Sequence, residues 1–386
     1  MKDVLKYFAV AGVASLALSG AAYAEDVVVI GVPTGLSGAN STVAPAVVQS
    51  TELAVEEINA SGGILGRQVR LEVADDESSA SGAQRAFDDL ISSRNANVII
   101  SMETSAARNA ALPIVEKSKT PYIYTSLYEG HSCNQYLYAN GPVVDQMVGP
   151  IIDHFMKNEN ASTFFLVGSD YAFGRGMLEF TRDYIESHGG EVVVEEYQPI
   201  DATDWTAIIS AMNRNNPDAV IMATAGGAPN VTLQRQFKAA GIKALVGNLS
   251  VDELTAQSMG EDAEGIYFSA SYLSTLDTPA NTDFRARMEK KFGDKLYLPN
   301  DMSVPQYDAV YLYKAAVEKA GSLDDTDKII EALAEVSFDG PRGRVQLSKQ
   351  RHAPLDMLLG KVKADGSVDV VRRFENVDPG EQCPGF

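Results

Sequence analysis

Asp26-Val-Val-Val-Ile-Gly-Val32, closed by Pro33, is a continuous apolar, β-branched run without polar alternation. A strand of that composition is buried on both faces, as in the middle of a parallel sheet covered by helices. The residues that follow agree. Residues 33–41 are rich in Gly, Ser and Thr and read as a loop. Residues 43–60 carry a helical pattern that stops at Ser61-Gly62-Gly63. Residues 69–74, 97–101 and 121–125 read as strands, and 81–93 and 105–117 as the helices between them. Regular alternation of strand and helix marks a parallel sheet with helices on both faces.

The alternation then starts afresh. A helix at 145–157 precedes strands at 163–167, 191–195, 219–223, 243–246 and 265–269, with helices at 172–187, 205–213 and 231–240. After residue 283 the chain is mainly helical (283–292, 306–320, 326–335). It ends in short strands near 344–347 and 357–362, followed by a hairpin at Ala364-Asp-Gly366, a turn between apolar runs. The fold class expected is α/β, two doubly wound Rossmann-like lobes joined by a hinge of several crossings. Lobe 1 takes residues 25–141 plus about 276–342. Lobe 2 takes 142–275 plus about 343–375, and the tail 376–386 is placed to tie back to lobe 1. No Pro/Gly/Ser-rich linker separates the units near Gly141.

The N-terminus gives an address. Lys2 and Lys6 precede an apolar run over 7–18 and the small-residue end Ala22-Tyr-Ala24. This is the pattern of a secretory signal peptide over residues 1–24, a retained anchor being the alternative. The mature chain is then exported, soluble and expected in the periplasm, away from cytoplasmic ATP and NADH. The whole chain of 386 residues exceeds what one hydrophobic core usually covers. Its net charge of −20 disfavours nucleic acid and anionic lipid as partners. The two cysteines, Cys133 and Cys383, are expected to pair in an oxidising compartment, with two separate thiols as the alternative.

Motifs for phosphate, dinucleotide, zinc-protease or nucleophile-elbow chemistry are missing. None of the four histidines sits beside a patterned nucleophile or carboxylate. The chain therefore reads as a non-enzyme with no cofactor and no metal.

Ligands of open α/β sheets bind beyond the carboxyl ends of strands, so those ends are where chemistry belongs. Four of them carry hydroxyls, aromatics or close-approach glycines. The first is Met102-Glu103-Thr104-Ser105, where Ser105 opens a helix and reads either as a ligand contact or as a cap. The second is Tyr124-Thr125-Ser126-Leu127-Tyr128-Glu129-Gly130. The third is Gly168-Ser169-Asp170-Tyr171-Ala172-Phe173, with Asp170 read as a helix cap and Tyr171 and Phe173 as a wall closing from the second lobe. The fourth combines Thr224-Ala-Gly226-Gly227 with Ser250-Val-Asp252-Glu253. Asp252 and Glu253 suit either a ligand ammonium or the cap of the next helix.

At these residues the chain resembles the type I periplasmic solute-binding proteins that serve ABC importers, the group of the leucine/isoleucine/valine-binding proteins. Asn59-Ala-Ser-Gly-Gly-Ile-Leu-Gly-Arg67 is similar to an early element of that family. Leu127-Tyr-Glu-Gly130, Val167-Gly-Ser-Asp-Tyr171, Asp277-Thr-Pro279 and Phe338-Asp-Gly-Pro-Arg-Gly343 resemble the branch that takes urea and short-chain amides. The resemblance implies ligand contacts at Ser105, Tyr124, Ser126, Tyr171 and Phe173, to which the strand-end reading adds Thr224, Gly226 and Ser250. Glu103 departs from the branch, whose residue there is usually aromatic. Its carboxylate could meet an amine or a strongly polar amide. The function expected is capture of a small polar solute (short-chain amide, urea or amino acid) by a monomer that hands it to an inner-membrane permease. Branched-chain amino-acid binding, a ligand sensor and a periplasmic hydrolase are the competing readings.

Overall fold

The computed structural model describes residues 27–386, so the signal-peptide reading of residues 1–24 lies outside the described residues. The first sheet holds five parallel strands, β1 (Val28–Thr34), β2 (Val69–Asp75), β3 (Val98–Ser101), β4 (Tyr122–Tyr124) and β5 (Leu137–Ala139). Their order is β2-β1-β3-β4-β5. Helices α1 (Ala44–Ala60), α2 (Ala80–Asp88) and α3 (Ser105–Ser118) make the connections. The opening run of the sequence is β1, buried along its length, with Ile30 set between Leu71 and Val98. Each such aliphatic side chain removed from water contributes about 1.5–3 kcal/mol.

Helix α4 (Val144–Asn158) leads into the second sheet. There β6 (Thr163–Ser169), β7 (Glu191–Gln198), β8 (Ala219–Ala223), β9 (Leu245–Asn248) and β10 (Ile266–Ala270) repeat the winding in the order β7-β6-β8-β9-β10. The connecting helices are α5 (Ala172–Ser187), α6 (Thr206–Asn215), α7 (Ala228–Ala239) and α8 (Glu253–Met259). The chain then returns to the first unit. Helices α9 (Pro279–Phe292) and α10 (Val304–Ala320) pack on α1, and α11 (Thr326–Leu333) packs on α10. A hairpin of β11 (Ser337–Gly340) and β12 (Gly343–Gln346) follows. Last, β13 (Leu355–Val362) and β14 (Val368–Val377) join the second sheet antiparallel beside β10. The two doubly wound α/β units expected from the sequence are both present.

Two strands, β5 and the four-residue β11, escape a reading of the sequence. β5 is three residues long, too short for any periodicity to show. β14 is the far arm of the hairpin expected at Ala364-Asp-Gly366, an edge strand whose surface carries Arg372, Arg373 and Glu375, charge that protects the edge from pairing.

Three passages, at 140–143, 271–278 and 347–354, carry the chain between the sheets. One buried side chain ties the first two of them to α10. Arg342 donates through Nε to Asp308 of α10 at 2.6 Å, and through its two terminal nitrogens to Ser271 Oγ and the Asn140 carbonyl, both at 2.9 Å. Asp301 adds to the same knot by accepting from the Ser271 N–H at 2.9 Å and its hydroxyl at 2.6 Å. Gly340 makes room, since a Cβ there would stand 2.2 Å from Asp308 Oδ1.

After β14 the chain reaches back to the first unit. Cys383 forms a disulfide with Cys133, their Cα atoms 5.5 Å apart, closing a separation of 250 residues. Gln382 reinforces the attachment. Its Oε1 accepts from the His131 N–H at 2.9 Å, and its amide donates to Asp145 at 3.1 Å.

Replacing both cysteines by alanine should cost about 2–5 kcal/mol of unfolding free energy. Urea titration of the oxidised protein and the double variant checks it, coincident curves being the contrary result. Arg342→Ala leaves the Asp308 carboxylate buried without its partner and should cost about 3–5 kcal/mol in the same titration.

Candidate functional site

In a doubly wound sheet the connections diverge where the strand order reverses, and a crevice opens there beyond the strand ends. That point lies between β1 and β3 in the first sheet and between β6 and β8 in the second. One cavity is lined from both. The first lobe contributes Asn40 and Thr42 after β1, Glu103, Thr104 and Ser105 after β3, and Tyr124 and Ser126 at the end of β4. The second contributes Tyr171 and Phe173 after β6, Thr224 and Gly226 after β8, and Ser250 after β9. All nine candidate contacts read from the sequence therefore meet at one place. Asn40, Thr42, Thr255 and Met302 complete the wall and were not read. The strand-end rule applied to β1 itself would have found the first two.

The lobes touch across this cavity. A Cβ on Gly226 would stand 3.3 Å from the Ala39 carbonyl oxygen, and one on Gly227, whose φ is +66°, 2.9 Å from it. Backbone meets backbone here because neither residue has a side chain. The space enclosed is about 60 Å³ open to the centre of a water-sized sphere. A single water needs about 10–15 Å³ by that measure, so a solute of several heavy atoms fits.

Glu103 is the one charged residue in the lining and is 1% exposed. Tyr122 donates its hydroxyl to Oε1, and Tyr124 donates at 2.9 Å to the Glu103 carbonyl, but Oε2 has no partner. On the facing wall the Thr224 hydroxyl is likewise buried and unpartnered. A buried polar atom left without a hydrogen bond costs about 1–3 kcal/mol. Both atoms are themselves buried and lie behind the cavity surface, so they belong to the packing that supports it. Burial pushes the Glu103 carboxyl well above the usual carboxylate range, and the nearby Asp76 charge pushes it further.

Ser105 is not the cap of α3. Thr104 is, its hydroxyl accepting from the Ala107 N–H at 3.1 Å, while Ser105 donates to Glu129 at 2.5 Å. Glu129 also takes Arg108 at 2.6 Å, and the Arg108 guanidinium lies over Tyr124 and Tyr128 at 5.0 and 4.5 Å from their ring centroids. Tyr128 is thus packed beneath the floor rather than set in it. Asp170 does not cap α5. Tyr171 holds the cap position without a side-chain bond, and Asp170 pairs with Arg175 on the surface at 2.8 Å. Asp252 caps α8 through the Thr255 N–H at 2.7 Å, and Glu253 accepts from the Ser274 hydroxyl at 2.8 Å, so neither lines the cavity. Among the described residues no group of three or more His, Cys, Asp or Glu side chains is placed to hold a metal ion.

Residues 27–367 match the periplasmic binding protein family, and the chain belongs to it. A Leu/Ile/Val-binding protein homologue of Brucella melitensis is 27% identical over 340 residues, 84% of this chain and 87% of that one. Two solved structures share the fold. A leucine-binding protein of Thermotoga maritima superposes with a TM-score of 0.81 at 24% identity, covering 90% of this chain and 99% of its own. A solute-binding protein of an ABC transporter from R. palustris, in complex with 4-hydroxybenzoate, gives 0.84 at 21% identity, covering 92% and 99%.

Asp76, on the loop after β2, is fully buried; its Oδ1 accepts from the Ser78 N–H at 2.7 Å and its Oδ2 has no partner. Burial raises its carboxyl to about 7. The folded state thus holds a proton that the unfolded state releases near pH 4. The stability tied to it is present below that pH and lost as pH rises through 7. Asp76→Asn keeps the Oδ1 bond and removes the ionisation. It should raise the melting temperature relative to wild type by several degrees at pH 8 and by much less at pH 5, as read by calorimetry.

Proposed function

We propose that this protein captures a small polar solute between its lobes in the periplasm and delivers it to the inner-membrane permease of an ABC transporter. Short-chain amides, urea and amino acids are the solute class. The observation that carries the reading is the one cavity lined from the strand ends of both sheets, with hydroxyls and aromatic rings on each side of it. A solute that bonds both walls holds the lobes together, and its differential affinity for the closed state drives closure. Tyr124, Tyr171 and Phe173 exclude water, while the hydroxyls of Ser105, Ser126 and Ser250 are set to orient the solute. The export signal at residues 1–24 suits this work, because the solute has not yet crossed the inner membrane.

Branched-chain amino acids are the second reading, favoured by the names of the relatives. An α-carboxylate would need the amide-rich start of α3 at Ser105, only two residues from the Glu103 carboxyl. That neighbour weighs toward ligands that present donors on this side.

Acetamide, urea and isoleucine should be screened by thermal shift, with titration calorimetry for those that respond. At least one should raise the melting temperature, and Tyr171→Ala should weaken its binding about tenfold or more. An unchanged affinity in the variant would remove Tyr171 from the site, and silence from all three would remove this solute class.

A further inference from the structure

The loop between β1 and α1, residues 35–43, brings Asn40 and Thr42 to the cavity and Ala39 against Gly226 and Gly227 of the other lobe. It is neither strand nor helix, so no ladder holds it. At its far end the Asn40 carbonyl starts α1, accepting from the N–H groups of Val43 and Ala44, both at 3.0 Å. Among the described residues, the side chains that reach residues 35–41 by hydrogen bonds from elsewhere in the chain are Asp75, which ends β2, and Ser78 just after it. Asp75 accepts from the Ser37 N–H at 3.2 Å and from its hydroxyl at 2.7 Å. Ser78 Oγ accepts from the Asn40 N–H at 3.0 Å and donates to the Ser37 carbonyl at 2.8 Å.

Ser78 is held in a costly conformation. Glu77 and Ser78 have φ values of +55° and +50°, left-handed backbone that residues with a Cβ adopt only under constraint. The constraint comes from Asp76, fully buried beneath the turn, whose Oδ1 accepts from the Ser78 N–H at 2.7 Å. The loop above leaves no slack, since a Cβ on Gly35 would stand 2.2 Å from Ser78 Oγ. We propose that Asp76 is a positioning residue of the solute site: through Ser78 it holds Asn40, Thr42 and Ala39 where they close the cavity. This rests on the cleft being the solute site, as argued above.

The arrangement gives the site a pH response. Asp76 Oδ2 has no partner, and burial raises the carboxyl to about 7, with the charges of Asp75 and Glu77 adding to the rise. The charged groups around it are Asp75 and Glu77 on its own segment, Arg85 of α2, and Glu103 after β3 with Arg108 of α3 acting on it. Arg85 is already paired with Glu77 at 2.9 Å. Protonated, the Asp76 carboxyl stays under the turn. Ionised, it is a buried charge without a counter-ion, relieved by swinging out to water. That movement gives up the Ser78 N–H, and the strained turn then lets go of Asn40. The ordered loop is the form that holds the proton, so solute binding weakens as pH rises through 7, by at most about tenfold per pH unit.

Two readouts test the role, one with solute and one without. Affinity is measured by titration calorimetry at pH 6 and pH 8.5 with whichever of acetamide, urea and isoleucine binds, none of which changes charge in that range. Wild-type protein should lose about tenfold in affinity from the lower pH to the higher. Asp76→Asn should remove that loss, and Ser78→Ala should weaken binding at both pH values. Without solute, the backbone amide resonances of Ser78 and Asn40 should titrate together in the wild type with a midpoint near 7 and stay fixed in Asp76→Asn. The wild-type resonances decide alone if a variant fails to fold. An affinity that ignores pH, or falls equally in Asp76→Asn, overturns the positioning role and leaves the solute-binding reading standing. An Asn40 resonance that stays still while Ser78 titrates does the same. If none of the three solutes binds, the solute reading falls, and the resonances still decide whether Asp76 holds the loop.

Discussion

The Arg342 guanidinium sits where the chain passes between its two sheets, and the geometry of the cleft depends on that contact. It holds the Asn140 carbonyl at the first passage, Ser271 at the second and Asp308 on α10, while β12, which begins at the next residue, runs into the third. A guanidinium offers five donors in a rigid plane, so one side chain fixes three backbone segments relative to one another. The arrangement is costly to bury, and burial alone would raise the Asp308 carboxyl, to about 6 even with Arg342 opposing it. What it gives in return is a defined axis. Two lobes held at a fixed knot keep the same residues facing one another, as a cavity lined from both sides requires.

Winding order does the rest of the positioning. Each sheet reverses its strand order once, and both reversals open toward the other lobe. The polar strand ends therefore converge without any single element having to carry the whole site. Lobe 1 supplies hydroxyls, Tyr124 and the start of α3, whereas lobe 2 supplies Tyr171, Phe173, the hydroxyl residues Thr224 and Ser250, and backbone that comes close to Ala39. Neither half surrounds a solute alone. The disulfide between Cys133 and Cys383 anchors the tail four residues from Glu129, which in turn holds Ser105. A covalent tie thus backs the loop on which one wall of the cavity rests.

The candidate site was legible to an unusual degree, for a physical reason. A doubly wound unit puts function at strand ends, and strand ends are marked locally by an apolar run meeting hydroxyls, aromatics and glycines. Glu103, Ser105, Tyr124, Ser126, Tyr171, Phe173, Thr224, Gly226 and Ser250 were found this way and all line one cavity. Asp170 was misread because an aspartate before a helix usually caps it, and here a neighbouring arginine outcompetes the backbone. The hinge knot was not legible as such. Asn140, Ser271, Asp308 and Arg342 are spread over most of the chain, and no local pattern links them.

Sequence by itself determined the two-fold α/β alternation, the buried β1, the acidity and the strand ends that bear polar groups, because each of these is a property of neighbours in the chain. Tertiary structure decided which of those groups share a cavity, that the Glu103 carboxyl is buried against Tyr122, that Arg108 is already paired with Glu129, and that Gly226 and Gly227 lie against Ala39. These depend on distances between segments that only packing brings together. The balance of charge in a buried space is a sum over all the groups enclosed, and no stretch of sequence contains that sum.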